Sequence, residues 1–466
     1  MTIAQAKNWF HQLLLILLSA LSMGIITISL WSSISHPQIQ TRLDLRQTDL
    51  ILQAVQLADP LVDRVPLSTQ DIYQQAKSAY VKVKQQSVKH DSQLDLRLGI
   101  LQAVTGDGAG AIDTWSKIQP VGSQPWLVGQ ILTSMWADAY LLPDAERQLQ
   151  NSLDGWYRQQ ALAQLYRKQQ RLERLPALEL ESQRQARQAV QKLLLVNAVP
   201  VGGGLLGLVG WFMVGWRYWR NGKSDSEAPP SWQVPWSIGE TWGAMALWFA
   251  SFVGISQILL PLGRQYFHIP SPAAHDYVGK ALWVLIPYGL SVIPPLGLVA
   301  WSLRPYLPLP EPWFRWSGDR WWWWGGGGYV LAIPPVVVVS VISQLVLGGK
   351  GGGNPLLPIL LESTDRRAQL ILWITIGVCA PIAEELLFRG FLFPALSQNL
   401  GIGWSIGVSG FAFALVHLNL ADLLPLTVLG WGLGYIYYRC QNLLAPMLCH
   451  SLWNTGSFLA LLALGQ

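Results

Sequence analysis

The chain has 466 residues, of which 51% are hydrophobic and 13% are charged, and its formal net charge is +5. A single soluble globule is less apolar than this, and 43 glycines with 25 tryptophans are typical of packed membrane helices with interfacial anchors. The composition therefore predicts an all-α, polytopic membrane protein. Its basic residues concentrate at the ends of apolar segments, so nucleic acid is not expected as a partner.

The first apolar run covers residues 13–31, follows Lys7 and ends at Trp31. It is long enough to span a membrane and longer than the apolar part of an ordinary cleaved signal peptide. We therefore predict an N-terminal signal anchor over residues 1–36. Small residues at 19–21 and 33–35 leave signal cleavage as an alternative.

Residues 37–190 are polar on average, with apolar side chains at helical spacing, as at Leu127, Ile131 and Met135. This pattern predicts a soluble α-helical domain. Turn-like breaks at 106–108 and 142–144 suggest degenerate hairpins similar to tetratricopeptide (TPR) repeats, and an ordinary helical bundle explains them equally well. Because the segment holds no catalytic constellation, its predicted role is to bind protein partners.

Eight further apolar segments have the length of a membrane span. They lie at about 193–216, 241–262, 280–303, 329–348, 368–388, 400–418, 422–438 and 443–464.

Basic residues follow the second and fourth of the nine predicted spans. They are Arg217, Arg220 and Lys223 after the second, and Arg304, Arg315 and Arg320 after the fourth. The positive-inside rule places these loops in the cytoplasm, and the 37–190 domain on the non-cytoplasmic side.

A low-complexity segment precedes the fifth span, with tryptophans at 321–324 followed by four glycines. The tryptophans predict an aromatic belt at the membrane surface, and the glycines predict a flexible loop.

Charged side chains interrupt the apolar segment 368–388 at Glu384, Glu385 and Arg389. A charge at mid-bilayer costs roughly 2.5–3.5 kcal/mol, so these three residues indicate function. Glu385 and Arg389 are four residues apart and can pair on one helix face. Glu384 lies about 100° around the helix axis and is left to face something else.

Two later apolar segments supply partners for Glu384. One carries Phe413 and His417, and the other carries His450 and Asn454, each pair on one helical face. Two carboxylates, a guanidinium, two imidazoles and a carboxamide form a set suited to activating water and stabilising an oxyanion.

These motifs, EExxxR, FxxxH and HxxxN in successive apolar helices, resemble those of the CPBP family of intramembrane proteases. That family includes the CAAX prenyl endopeptidases and the bacteriocin-processing or Abi proteins. The resemblance implies a transmembrane protease core at 311–466, preceded by accessory transmembrane helices at 191–310. The first 190 residues lie outside the family core.

The resemblance implies a role for each motif residue. Glu384 and His417 would activate a water molecule, while His450 and Asn454 would stabilise the oxyanion. Glu385 with Arg389 would hold the helix and tune Glu384. The implied substrates are membrane-associated polypeptides, either CAAX-type or bacteriocin-like, and the implied location is a bacterial plasma membrane or a thylakoid, with membrane lipid around the spans.

Metal dependence stays open at this point. Glu384, His417 and His450 could form the His₂Glu ligand set of catalytic zinc, although no HExxH motif fixes such a site. We favour an enzyme without a cofactor. Cysteines occur only at 379, 440 and 449, without a CxxC spacing, so no disulfide framework or thiolate metal site is predicted.

Two other functions fit parts of the sequence. Residues 407–410 match the GxSG of rhomboid serine proteases, but small residues in a membrane helix are ordinarily packing residues. A non-proteolytic membrane scaffold that binds partners through 37–190 is the second alternative. A scaffold has no need for carboxylates in lipid, which favours the protease.

Overall fold

Helices account for the regular structure of the described residues, and no strand occurs among them, as the composition predicts. The computed structural model describes residues 3–34, 40–57, 68–86, 91–137, 144–221, 232–273, 275–309, 316, 320–348, 350–352, 359–360 and 363–465. The predicted features at Leu142, Pro143, Lys223 and Arg315 lie outside these residues.

The helices are numbered here in chain order. They are α1 (Ile3–Ser33), α2 (Gln40–Ala54), α3 (Thr69–Gln86), α4 (Ser92–Val104), α5 (Gly108–Ser116), α6 (Gln124–Trp136), α7 (Ala145–Ser152), α8 (Gly155–Lys168), α9 (Leu172–Asn221), α10 (Ile238–Tyr266), α11 (Tyr277–Ser302), α12 (Trp321–Leu347), α13 (Arg366–Leu400), α14 (Ile402–Leu415), α15 (Leu420–Cys440) and α16 (Leu444–Gly465).

The chain divides into two compact units. One comprises residues 39–195, and the other, called here the membrane unit, comprises residues 1–38 and 196–466. Sequence analysis placed the soluble domain at 37–190.

The unit 39–195 is built on short helices around an aromatic core. Trp115, Trp156 and Tyr157 are almost fully buried in it, and the Trp115 indole donates to the carbonyl of Leu96 at 3.2 Å. Asp107 caps the start of α5, so the predicted turn at 106–108 does separate two helices.

The protein is an integral, multi-pass membrane protein. Within the described residues eight helices are long and apolar enough to cross a bilayer, namely α1, α9, α10, α11, α12, α13, α15 and α16. The remaining predicted span, 400–418, corresponds to α14, which is apolar but has only 14 residues. α1 packs on its neighbours through Ser19, which accepts a hydrogen bond from the Trp242 indole at 2.8 Å, and through Ser33, which accepts from the amide of Leu420 at 3.3 Å.

Helix α13 extends beyond the predicted span 368–388 and contains two π-helical segments, Ile374–Cys379 and Leu386–Leu392. A proline follows closely after each one, at 381 and 394. Proline lacks an N–H and clashes with the carbonyl one turn earlier, and a wider turn relieves that conflict without ending the helix. The turn 380–385, which carries both glutamates, is therefore held between two irregular segments.

The glycine run at 325–328 is helical, so the prediction of a flexible loop there is wrong. These glycines bring α12 close to its neighbours. A Cβ on Gly325 would lie 2.9 Å from the carbonyl oxygen of Ala445, and one on Gly328 would lie 2.3 Å from the side chain of Ile436. Small residues at such contacts let membrane helices pack backbone to backbone.

Candidate active site

The pair Glu385–Arg389 lies at the buried centre of the membrane unit. Both side chains are completely buried, and Arg389 Nη1 donates to Glu385 Oε1 at 2.7 Å, as the i,i+4 spacing predicts. The other guanidinium branch donates to the carbonyl of Gly430 on α15 at 3.0 Å. This carbonyl is reachable because α14 and α15 cross there at closest approach: a Cβ on Gly430 would lie 2.7 Å from the Cα of Gly410.

This crossing also explains the GxSG sequence. Gly410 faces Gly430, while Ser409 is fully buried and bonds only weakly to the carbonyl of Ile406 at 3.5 Å. The tetrapeptide therefore serves helix packing, which removes support for the serine-protease alternative.

His450 is held against Glu385 from α16. Its Nδ1 lies 2.9 Å from Glu385 Oε1, and its side chain is 4% exposed. Because a carboxylate can only accept, Nδ1 carries the proton of this hydrogen bond. The Nε2 atom then points the other way, toward Glu384 Oε2, at 3.9 Å.

His417 is also held at its Nδ1 atom, in this case by a backbone carbonyl. Its Nδ1 donates to the carbonyl of Phe413 at 2.8 Å, and its Nε2 lies 3.9 Å from Glu384 Oε2. Phe413 is fully buried between the polar groups, with its ring centroid 5.0 Å from that of His417, 5.5 Å from that of His450 and 4.8 Å from Cζ of Arg389. The aromatic residue of FxxxH thus packs against both imidazoles and the guanidinium.

Glu384 is the point on which the two histidines converge. Its side chain is 24% exposed, against 0% for Glu385, and Oε2 makes no hydrogen bond to any described residue. A separation of 3.9 Å is too long for a direct hydrogen bond and short enough for one small molecule to contact both atoms. Glu384 Oε2 and the two Nε2 atoms therefore form a polar site in which the carboxylate oxygen is buried and has no hydrogen-bond partner among the described residues.

Asn454 lies one turn beyond His450 and binds α13. Its Nδ2 donates to the carbonyl of Ile376 at 2.9 Å. In π-helical register this carbonyl would accept from residue 381, which is a proline without an N–H. The expectation that Asn454 faces an oxyanion must therefore rely on its second N–H, since the amide group has two.

The three proposed metal ligands are spaced more widely than zinc requires. In a tetrahedral site with bonds of about 2.0–2.1 Å, ligand atoms lie about 3.3–3.4 Å apart. Both histidine nitrogens lie 3.9 Å from the carboxylate oxygen. Over the described ranges, no group of three or more His, Cys, Asp or Glu side chains has an arrangement that could hold a metal ion.

Sequence reasoning did not find the backbone acceptors of this site. The Gly430 carbonyl and the Ile376 carbonyl carry no side-chain signature, although Gly430 lies in a small-residue run that marks a close helix contact, and Pro381 marks a freed carbonyl. Tyr288 on α11 was also missed. It interacts electrostatically with Glu384 and is the only tyrosine in the apolar stretch 281–302.

All seven residues named by the three motifs fall in the segment that matches a protein-family model. Residues 366–456 match the family model described as type II CAAX prenyl endopeptidase Rce1-like. YdiL of Bacillus subtilis (strain 168), a predicted membrane peptidase, is 30% identical over 82 residues, which are 18% of this chain and 34% of that protein.

Two further relatives match over similar lengths. The CAAX prenyl protease 2 of Rattus norvegicus is 31% identical over 102 residues, 22% of this chain and 33% of that protein. The UPF0177 protein YxdF of Lactococcus lactis is 33% identical over 90 residues, 19% of this chain and 49% of that protein. The chain thus spans about a third of the length of the first two relatives. No solved structure matches it significantly. The chain carries, in its C-terminal part, a domain of the Rce1-like type II CAAX prenyl endopeptidase family.

Proposed function

We propose that this protein is an intramembrane endopeptidase that hydrolyses peptide bonds of membrane-associated polypeptides. The family of residues 366–456 supports a protease, and one observation carries the mechanism. A partly exposed carboxylate with no hydrogen-bond partner at Oε2 among the described residues faces two imidazole Nε2 atoms, each of which is oriented by a bond at its Nδ1.

In the first step Glu384 acts as general base with His417. The carboxylate takes a proton from water while the water oxygen forms a bond to the carbonyl carbon, and the carbonyl oxygen becomes an oxyanion. His417 Nε2, which has no proton when Nδ1–H is bonded to Phe413, can only accept, so it orients the water rather than the oxyanion.

Stabilisation of the oxyanion falls to the α16 residues in this proposal. His450 can donate from Nε2 only when doubly protonated, because its Nδ1–H is bonded to Glu385. Asn454 would donate its second N–H. When the C–N bond breaks, the proton held by Glu384 passes to the leaving amine, giving an amine and a carboxylate.

The proposed substrates are CAAX-type or bacteriocin-like polypeptides in the membrane. We further propose a bacterial plasma membrane or thylakoid location, with the unit 39–195 on the non-cytoplasmic side. Labelling of a cysteine introduced at Gln150 by a membrane-impermeant reagent in intact cells tests that side. Protection from the reagent would reverse the orientation.

Comparative proteomics of membranes carrying the wild-type protein or Glu384→Gln tests the function directly. Polypeptides that accumulate uncleaved in the variant are expected. Asp276→Asn is the matched control, because it makes the same carboxylate-to-amide change at a helix N-cap of the same unit, where asparagine caps equally well. Identical peptide profiles for wild type and Glu384→Gln would reject proteolysis in favour of a scaffold.

A further inference from the structure

Helix α11 runs beside the first half of α13 and lies outside residues 366–456, which match the family model. Near its start, Ala281 is completely buried in a cluster with Ala368 and Leu372 of α13. Tyr288 lies about two helical turns further along α11 and on the same face. Cys379, with which Tyr288 interacts electrostatically, lies about two turns beyond Leu372 on α13, so the two helices run in the same direction along this stretch.

The interactions of Tyr288 agree with this placement. The residue is partly buried and interacts electrostatically with Glu384 and with Cys379. None of the residues that the structure describes forms a hydrogen bond with its hydroxyl group. The hydroxyl oxygen is not one of the fully buried unpaired side-chain atoms, so it is open to an acceptor that arrives from outside.

The donors assigned to the oxyanion from the sequence are largely engaged elsewhere. Asn454 gives one N–H to Ile376, and His450 gives its Nδ1–H to Glu385. Asn454 donates to the first π-helical segment of α13 at Ile376, and Tyr288 interacts electrostatically with its last residue, Cys379. Two donors on different helices are thus associated with the segment that precedes Glu384.

We infer that Tyr288 is a further catalytic residue, whose hydroxyl donates a hydrogen bond to the oxyanion together with the second N–H of Asn454. The inference rests on the proposed peptidase function. A carbonyl attacked by water at Glu384 must lie within a few ångströms of that carboxylate, which is the group that interacts electrostatically with Tyr288. No covalent bond to Tyr288 forms, and its proton stays on the phenol.

The test is Tyr288→Phe in the full-length protein, which removes one oxygen atom and keeps the ring. Tyr435→Phe is the matched control, because that side chain is 51% exposed on α15 and interacts with no other described residue in a way that involves its hydroxyl. With a peptide that the wild type cleaves, we expect kcat to fall about 100-fold for Tyr288→Phe with KM and the unfolding temperature little changed.

A peptide phosphonate, which mimics the tetrahedral intermediate, supplies a second readout that a structural role would not move. Its affinity should weaken by about the same factor as kcat, while that of the uncleaved peptide stays constant. Wild-type kcat in Tyr288→Phe, or a loss confined to KM or folding, would refute the role of Tyr288 alone. Absence of any Glu384-dependent cleavage by the wild type would overturn the peptidase function and this inference with it.

Discussion

Arg97 in the unit 39–195 and Arg389 in the membrane unit each bind a carboxylate, at 2.8 Å to Asp49 and 2.7 Å to Glu385. Around Asp49 both oxygens have donors: Oδ1 accepts from Tyr80 at 2.7 Å and from Tyr157 at 2.8 Å, and Oδ2 accepts from Arg97. The second branch of Arg97 is bound by Asp154.

The cluster around Arg389 is not completed in this way. Glu384 Oε2, Glu385 Oε2 and Arg389 Nε are buried atoms without hydrogen-bond partners in the described part of the chain. Burying polar atoms without partners costs free energy, so a network whose atoms are paired contributes to stability. At Glu384 the unpaired oxygen faces two imidazoles, so it is available to bind a further group.

Glu384→Gln should have the largest effect on the membrane cluster. We expect kcat/KM to fall by about 10²–10⁴, because the amide keeps the shape of the side chain and cannot take a proton. Thermal unfolding should be nearly unchanged, since Glu384 Oε2 has no partner among described residues to lose. A folded variant that cleaves peptide at the wild-type rate would remove Glu384 from the mechanism.

Arg389→Ala should instead damage folding. Its removal leaves Glu385 as a fully buried carboxylate without its cation, a change that costs about 3–5 kcal/mol. Thermal unfolding of the detergent-solubilised protein measures the loss. Arg367→Ala is the control: its pair with Asp365 is 82% exposed on the arginine side, so its loss should change the unfolding temperature little. Equal unfolding temperatures for both variants would contradict a structural role for Arg389.

Much of this arrangement was predictable from sequence because it depends on local spacing. Apolar periodicity indicated the helices, and the i,i+4 spacing indicated the pair Glu385–Arg389. What spacing could not supply is contact between helices. The Gly430 carbonyl is available to Arg389 only because two glycines let α14 and α15 cross closely.

The partner of Asn454 was unpredictable for a related reason. A carbonyl becomes free when a helix changes from α to π register near a proline, and that register depends on packing around Pro381 as well as on the proline itself. At the glycine run 325–328 the prediction from sequence was wrong, because a loop was expected and the segment is helical. Its low helix propensity predicts a loop, but close packing against Ala445 and Ile436 outweighs that propensity in a membrane helix.

Asn454→Ala should reduce turnover by about 10²–10³ if its second N–H donates to the oxyanion. The variant also loses the bond to Ile376, so Thr455→Ala is the appropriate control. Thr455 accepts from the Trp373 indole at 3.1 Å, and its removal breaks a neighbouring α16–α13 hydrogen bond without touching the cluster. Similar kcat values for the two variants would indicate that Asn454 only joins helices.

Arg97→Ala should destabilise the unit 39–195 by about 1–3 kcal/mol, less than Arg389→Ala, because Asp49 keeps two tyrosine donors.

The effect of Arg97→Ala should depend on pH. Burial raises the pKa of Asp49 and Arg97 lowers it, so removing Arg97 raises the pKa of Asp49 further. A raised carboxyl pKa disfavours the folded state above that pKa, so the loss should be largest near neutral pH and should shrink as acid protonates Asp49. Hydrogen exchange of the α2 and α4 amides measures this loss of stability locally, and Arg147→Ala, which removes an exposed arginine, is the control. A loss independent of pH would contradict this account.

Treatment with a tight chelator should leave the cleavage rate unchanged, and this is the smallest of the expected effects. Zinc would have to draw His417 and His450 toward Glu384 from 3.9 Å, yet both imidazoles are fixed at Nδ1 by Phe413 and Glu385. Moving them would strain two hydrogen bonds that orient the rings, whereas a water molecule can bridge Glu384 Oε2 and an imidazole Nε2 that are 3.9 Å apart without such movement. Purified protein treated with a chelator and separated from it should therefore keep its cleavage rate. If activity is lost with the chelator and returns when zinc is added, the cluster closes around a metal, and Glu384 is a ligand as well as a base.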